Sequence, residues 1–232
     1  RVRVVSLDVV DLRGARGEPV ALAAGRGCGK ATLLRLFNRM LAPTSGSVLV
    51  RGDDVGGQSA HRLRRSIGYV PQNGGLLPHW RVRRNVELVP ALLGWEPSRR
   101  RAAADEMLTR VGLPAERFAA RYPAELSGGE RQRVALARAL AADPDVVLMD
   151  EPFGALDAIT RADLQREFGS LQRRLRKTVV LVTHDIAEAF LLAERIAVLH
   201  AGRRLQTGTA RDLAESPADD YVARLRAPGG TG

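Results

Sequence analysis

Short runs of consecutive apolar residues alternate along this chain with longer stretches in which apolar positions recur every third or fourth residue. The runs at 2–10, 19–24, 48–50, 67–70, 146–149, 179–183 and 196–199 read as strands. Helical spacing covers 30–41, a segment that should stop before Pro43, and most of 82–142. In the latter, Met107, Leu108 and Val111 share one face, and Val134, Ala137 and Leu140 recur along another. A further helix lies between the strands at 146–149 and 179–183, with Leu164, Phe168, Leu171 and Leu175 on one side. Strands alternating with helices predict an α/β fold with a mainly parallel sheet. The expected layout is a single domain over 1–232, with its core at 1–75 and 143–226. An N-terminal antiparallel β part, an inserted α-helical subdomain at 76–142 and a frayed tail at 227–232 complete it.

Composition narrows the class. With 232 residues, 45% of them hydrophobic, the chain can bury a sizeable core, which argues against wholesale disorder. No apolar stretch approaches the roughly 20 residues that cross a bilayer. The N-terminus carries no secretory pattern, and Cys28 is the only cysteine, so no internal disulfide forms. A soluble cytosolic protein is the simplest expectation. Net charge is +10, almost all of the positive charge being arginine. Those arginines are scattered and are not interleaved with aromatics, so no nucleic-acid partner is expected. Lys30 and Lys177 are the only lysines, which makes a lysine inside a glycine-rich loop informative.

That loop runs Ala24, Gly25, Arg26, Gly27, Cys28, Gly29, Lys30, then Ala31 and Thr32. It follows a predicted strand and opens a predicted helix, the context a phosphate-binding loop requires. Glycines turn successive N–H groups toward one anion, Lys30 reaches terminal phosphates, and the helix start adds partial positive charge. Two positions depart from the pattern G-x-x-x-x-G-K-[ST]. Ala24 replaces the first glycine, and Ala31 replaces the hydroxyl residue that binds Mg²⁺. Thr32 stands one helical position on, rotated by about 100°. Farther along, Leu126-Ser127-Gly128-Gly129-Glu130 is placed to offer backbone N–H groups to a phosphate at a helix start. The apolar run at 146–149 ends in Asp150 and Glu151. One carboxylate there suits a magnesium-bound water, and its neighbour can orient or deprotonate an attacking water. Gln72 follows a strand end and suits metal and water, or simply a surface loop. His184 also follows a strand, at the end where ligands gather in α/β sheets, which favours a terminal-phosphate contact. Asp157 reads as the N-cap of the next helix.

The order of phosphate loop, Gln72, LSGGE at 126–130, VVLMDE at 146–151, GALD at 154–157 and His184 resembles the ATP-binding subunit of ABC transporters, across nearly the whole chain. The resemblance implies a P-loop NTPase core that binds ATP and Mg²⁺. It implies two such subunits packed head to tail as a homodimer. Each ATP would lie between the loop 24–32 of one copy and Ser127, Gly128, Gly129 and Glu130 of the other, with Asp157 at the contact. Glu151 would be the general base, His184 the γ-phosphate switch, and Asp150 and Gln72 the magnesium-side groups. Transmembrane permease subunits would couple through the region 72–80, a solute-binding protein outside the membrane would take part indirectly, and the subunit would sit peripherally on the cytoplasmic face. Segments 38–46, 74–80, 88–95, 121–126 and 150–161 resemble, more narrowly, importers of glycine betaine, proline betaine, choline or carnitine. No residue here is expected to touch the solute. Three further departures stand out. The aromatic residue that family members stack on adenine would fall before Arg1. Glu130 stands where glutamine is commoner. The segment 10–16 looks longer than usual. Slow hydrolysis by a degenerate or regulatory subunit, because Ala31 replaces the magnesium-binding hydroxyl residue, is the alternative reading.

Overall fold

The computed structural model describes residues 7–8, 10–25 and 28–225. From the N-terminus, the elements are β1 (Pro19–Ala24), α1 (Lys30–Phe37), β2 (Leu49–Val50), β3 (Asp53–Asp54), α2 (Ala60–Ser66) and β4 (Ile67–Val70). The helical stretch resolves into α3 (Val82–Val86), α4 (Leu88–Leu92), α5 (Pro97–Arg110), α6 (Ala115–Phe118) and α7 (Gly128–Leu140). Then come β5 (Val146–Asp150), α8 (Ala158–Leu175), β6 (Thr178–Thr183), α9 (Ile186–Leu192), β7 (Arg195–His200), β8 (Arg203–Gly208), α10 (Ala210–Glu215) and α11 (Asp220–Arg224). Internal contacts divide the chain into two units, Arg1–Ala60 with Thr178–Gly232, and His61–Lys177.

In the first unit β1 pairs in parallel with β6 on one side and β7 on the other, and β8 pairs antiparallel with β7. All six residues of β1 are buried, as a central parallel strand covered on both faces requires. Ala21, Ala23, Ile196 and Val198 form one cluster with Ala189 of α9, Leu213 of α10 and Val222 of α11. Helix α1 buries Leu33, Leu34 and Leu36. In the second unit β4 and β5 pair in parallel, Ile67 opposite Val146 and Val70 opposite Met149. Helices α3, α5 and α7 pack on one another there, and α7 also packs on β4. Phe153 is fully buried, its ring 6.1 Å from that of Phe168.

The mainly parallel α/β fold is as expected, with the antiparallel pair β2–β3 in the N-terminal part. Three expectations need correction. The strand at 2–10 lies mostly outside the described residues, and Leu7, Asp8 and Val10 are not in a strand. Helix α1 ends at Phe37, four residues short of the expected end. Asn38 is buried and its side chain accepts from the Met40 amide, while Arg39 turns into the left-handed region at φ 54°. Strand β8 was not expected, since Arg203-Arg204-Leu205-Gln206-Thr207-Gly208 is polar and sits at an edge. The tail at 227–232 lies outside the described residues.

Candidate functional site

In the first unit the glycine-rich loop expected to bind phosphate leaves the end of β1. Arg26 and Gly27 fall outside the described residues; Gly25, Cys28 and Gly29 lie within them. Gly29 caps α1 at φ 88°, with no side-chain cap and no acidic residue in the first turn of the helix. The start of α1 therefore keeps its partial positive charge uncompensated by its own side chains. Lys30 is buried, and its Nζ donates to Ala24 O and Gly25 O, each at 2.7 Å. Ala31 and Thr32 follow in the first turn, both half-buried. His184 is exposed, one residue beyond β6, whose Thr183 lies opposite Ala23 of β1. Loop and histidine thus leave the same ends of parallel strands.

In the second unit, the register of β4 with β5 carries two chain ends out together. Gln72, two residues past β4, donates from Nε2 to Glu151 Oε2 at 3.1 Å. Glu151 itself takes φ 43°, a left-handed conformation that a glutamate adopts at an energetic cost of order 1–3 kcal/mol. Asp150 is the last residue of β5 and half-buried. The turn carrying Gln72 is fastened from α7. Arg138, buried in that helix, donates to Gly74 O and Gly75 O, both at 2.6 Å. Burial lowers the Arg138 pKa from its ordinary value. Gly75 has φ 58°, and a Cβ there would stand 2.8 Å from Pro71 Cγ, so the turn needs glycine.

Helix α7 begins with a reciprocal cap. Ser127 N donates to Glu130 Oε2 at 2.7 Å, and Glu130 N donates to Ser127 Oγ at 3.2 Å. The Ser127 amide is the largest influence and holds the Glu130 carboxyl below its ordinary pKa; burial opposes it, and the Ser127 hydroxyl, Arg121 and Arg117 add smaller lowering. The cap serves the third helical N–H and leaves those of Gly128 and Gly129, which have no partner within a helix. A Cβ on Gly129 would stand 2.6 Å from Thr160 Cγ2 of α8, so this glycine is also demanded by packing. On Gly128 the nearest atom would be Leu156 Cδ2 at an ordinary 3.6 Å. Asp157 caps α8, accepting from Thr160 N at 3.0 Å, and that amide lowers its pKa.

Within its unit each half brings predicted residues together, Lys30 with Ala24 and Gly25, and Gln72 with Glu151. The Ser127–Glu130 hydrogen bonds stay within their own turn. Among the described residues no three His, Cys, Asp or Glu side chains cluster as a metal cage. Magnesium takes only one or two protein oxygens when phosphates and water complete its shell. Asp150 and Gln72 carry oxygens of that kind, and in the Gln72–Glu151 bond it is the Gln72 amide nitrogen that is engaged. Ala31 supplies none. Sequence reasoning missed Arg138, although a charged residue inside the apolar stripe of Val134, Ala137 and Leu140 was a usable signal.

The family model for ABC transporters matches residues 7–154. The chain belongs to the ABC transporter family. Among its ABC relatives, the osmoprotectant import ATP-binding protein OsmV of Salmonella typhimurium is 46% identical over 94% of this chain and 57% of its own length. The choline transport ATP-binding protein OpuBA of Bacillus subtilis is 47% identical over 92% of this chain and 56% of its own. The glycine betaine uptake system ATP-binding protein YehX of Escherichia coli is 43% identical over 93% of this chain and 70% of its own. The chain thus spans little more than half the length of the first two. A dimeric structure of the ABC cassette MJ0796, bound to ADP and Pi, superposes with a TM-score of 0.77 at 36% identity, over 88% of this chain and 90% of that one. Among the described residues no helix is long and apolar enough to cross a membrane.

Proposed function

We propose that this chain is the ATP-binding and ATP-hydrolysing subunit of an importer, powering uptake of quaternary-amine osmoprotectants through a membrane permease. The carrying observation is the Gln72–Glu151 hydrogen bond beyond paired, largely buried parallel strands, in a member of this family that also holds a lysine in a glycine loop. In this reading the loop 24–32 and Lys30 hold the phosphates. Glu151 takes a proton from water as its oxygen bonds to the γ-phosphorus and the bond to the β-phosphate oxygen breaks, releasing ADP. Gln72 orients Glu151, and His184 contacts the γ-phosphate. Asp150 and the Gln72 oxygen would hold Mg²⁺, which when bound neutralises phosphate charge. Gly128 and Gly129 amides, with Ser127 and Glu130, would cover the nucleotide of a second copy, and Asp157 would touch that copy.

The region 72–80 would meet the permease at the cytoplasmic face, with an extracytoplasmic solute-binding protein acting indirectly and no nucleic acid involved. The helical stretch 76–142 would be a subdomain on a core of 1–75 and 143–226. The solute class comes from what the relatives are named for, and loss of betaine or choline uptake on deleting the gene would test it.

Ala31 favours a second reading, a subunit that binds ATP and dimerises but hydrolyses slowly. The test sets wild type beside Ala31→Ser. Restored metal coordination should raise magnesium-dependent turnover several-fold. Equal turnover with equal magnesium dependence sinks the slow-hydrolysis reading, and a purified wild type with no affinity for ATP sinks both.

A further inference from the structure

We propose that Tyr221 is a positioning residue for Lys30, acting through the peptide that joins Ala24 to Gly25. The inference rests on the reading of Lys30 as the phosphate-binding lysine. Gly25 N donates to Tyr221 Oη at 3.1 Å. Lys30 Nζ donates to Ala24 O at 2.7 Å. Those two bonds grip one and the same peptide group, since Ala24 O and Gly25 N belong to a single planar unit. In a trans peptide the carbonyl and the N–H point to opposite sides. Fixing the N–H toward Tyr221 therefore fixes the Ala24 carbonyl toward the lysine ammonium. The Gly25 carbonyl, one residue on, takes the second Lys30 bond at 2.7 Å.

The hydroxyl is itself held in place. The Tyr221 ring lies 4.1 Å from the His200 ring at a tilt of 37°. His200 closes β7 next to Leu199, which is opposite Ala24 in the register with β1. Val222, the next residue of α11, is 2% exposed and belongs to the core under β1 and β7. Lys30 keeps three donor hydrogens on a flexible stem. Two bonds from its ammonium to backbone carbonyls set where that ammonium stands. Loss of the hydroxyl frees the peptide to rotate and the ammonium to wander.

The experiment is a double-mutant cycle on the purified full chain, titrated with ATP and with trinitrophenyl-ATP, whose added ring keeps binding measurable in weakened variants. Tyr221→Phe keeps the ring and its stack, so its melting temperature should fall by no more than the few degrees that one lost hydrogen bond costs. ATP affinity should fall about three- to tenfold, the reach of one hydrogen bond. In a Lys30→Ala background the same change should lower affinity by less than about twofold, because the two residues act as one unit. Wild-type affinity in Tyr221→Phe overturns the proposal. So does a loss of equal size with and without Lys30, which would mean the hydroxyl acts on the loop alone. A wild type that binds neither nucleotide is a separate result, which brings down the ATP-binding reading along with it.

Discussion

The start of α1, in one unit, and the start of α7, in the other, are built in opposite ways. Helix α7 closes its own end, with Ser127 and Glu130 exchanging hydrogen bonds and an acidic side chain standing in its first turn. Helix α1 has neither: a left-handed Gly29, no side-chain cap, and no acid in the first turn. The same contrast runs through the surrounding residues. The loop ahead of α1 is organised by main-chain carbonyls, one lysine and one tyrosine hydroxyl. The second unit is organised by side chains with assigned partners, Gln72 on Glu151 and Arg138 on Gly74 and Gly75. One region leaves its helix start without a capping side chain or an acid, and the other is fixed by bonds between its own side chains and turns.

The largest expected effect sharpens that division. If the second unit carries the chemistry and the first carries the grip on phosphate, Glu151→Gln should lower turnover about 10²–10⁴-fold, the usual worth of a positioned base. ATP affinity should stay within about twofold, because Lys30 and its loop are untouched. Glutamine preserves the size of the side chain and its ability to accept from Gln72. Size-exclusion chromatography with ATP should then show a dimer that persists. A variant that hydrolyses at the wild-type rate places the base elsewhere, and one that stays monomeric with ATP counts against the paired arrangement.

A smaller effect tests whether the second unit is preset by its side chains. Arg138→Met removes both donors from two turn carbonyls while preserving much of the volume. Stability in urea should fall by about 1.5–3 kcal/mol, the range for hydrogen bonds to a charged group. Arg138→Lys should recover part of it, since one ammonium cannot reproduce the two-pronged geometry of the guanidinium. If both variants unfold with wild-type midpoints, the glycine turn holds itself, and the contrast between the two units weakens.

What the sequence disclosed follows the same line. Strands β1 and β4 were legible to the residue because each is a continuous apolar run bounded by turn residues. The α7 cap was not read as a cap, although Ser127 with Glu130 three residues later is the pattern for one. The end of α1 was not legible, because Asn38 is withdrawn into the structure by tertiary contacts that no spacing encodes. Strand β8 hid behind a polar edge, yet Ala201-Gly202 at φ 46° and 80° is the two-residue turn that joins it to β7, and the glycine was there to be read. The placement of Asp150 and Glu151 at the end of β5 was readable from residue type and order, since the carboxylates follow directly on a buried apolar run. The supports were not. Tyr221 and His200 carry no motif, being 21 residues apart in sequence, and what joins them to the loop is the register of β7 with β1.

The smallest effect separates the two helix starts by acid. The Glu130 carboxyl ordinarily titrates at 4.5 and is lowered in the folded protein, first by the Ser127 amide. The unfolded chain therefore binds the proton more readily, so the cap's contribution is complete above about pH 4.5 and is lost as pH falls through the lower folded value. Glu130→Gln keeps an acceptor oxygen for Ser127 but has nothing to titrate. Urea unfolding of the two proteins at pH 7, 4.5 and 3 should show wild type more stable at neutral pH, with the gap closing toward the most acid condition. Asp157 and Asp212 are lowered in the same sense by Thr160 and Thr209 and will add to acid loss in both proteins, so only the difference isolates Glu130. A gap that stays constant with pH would mean that the carboxylate charge contributes nothing to the cap. Helix α1 has no acid in its first turn, so no comparable carboxylate cap contributes to acid loss at its start.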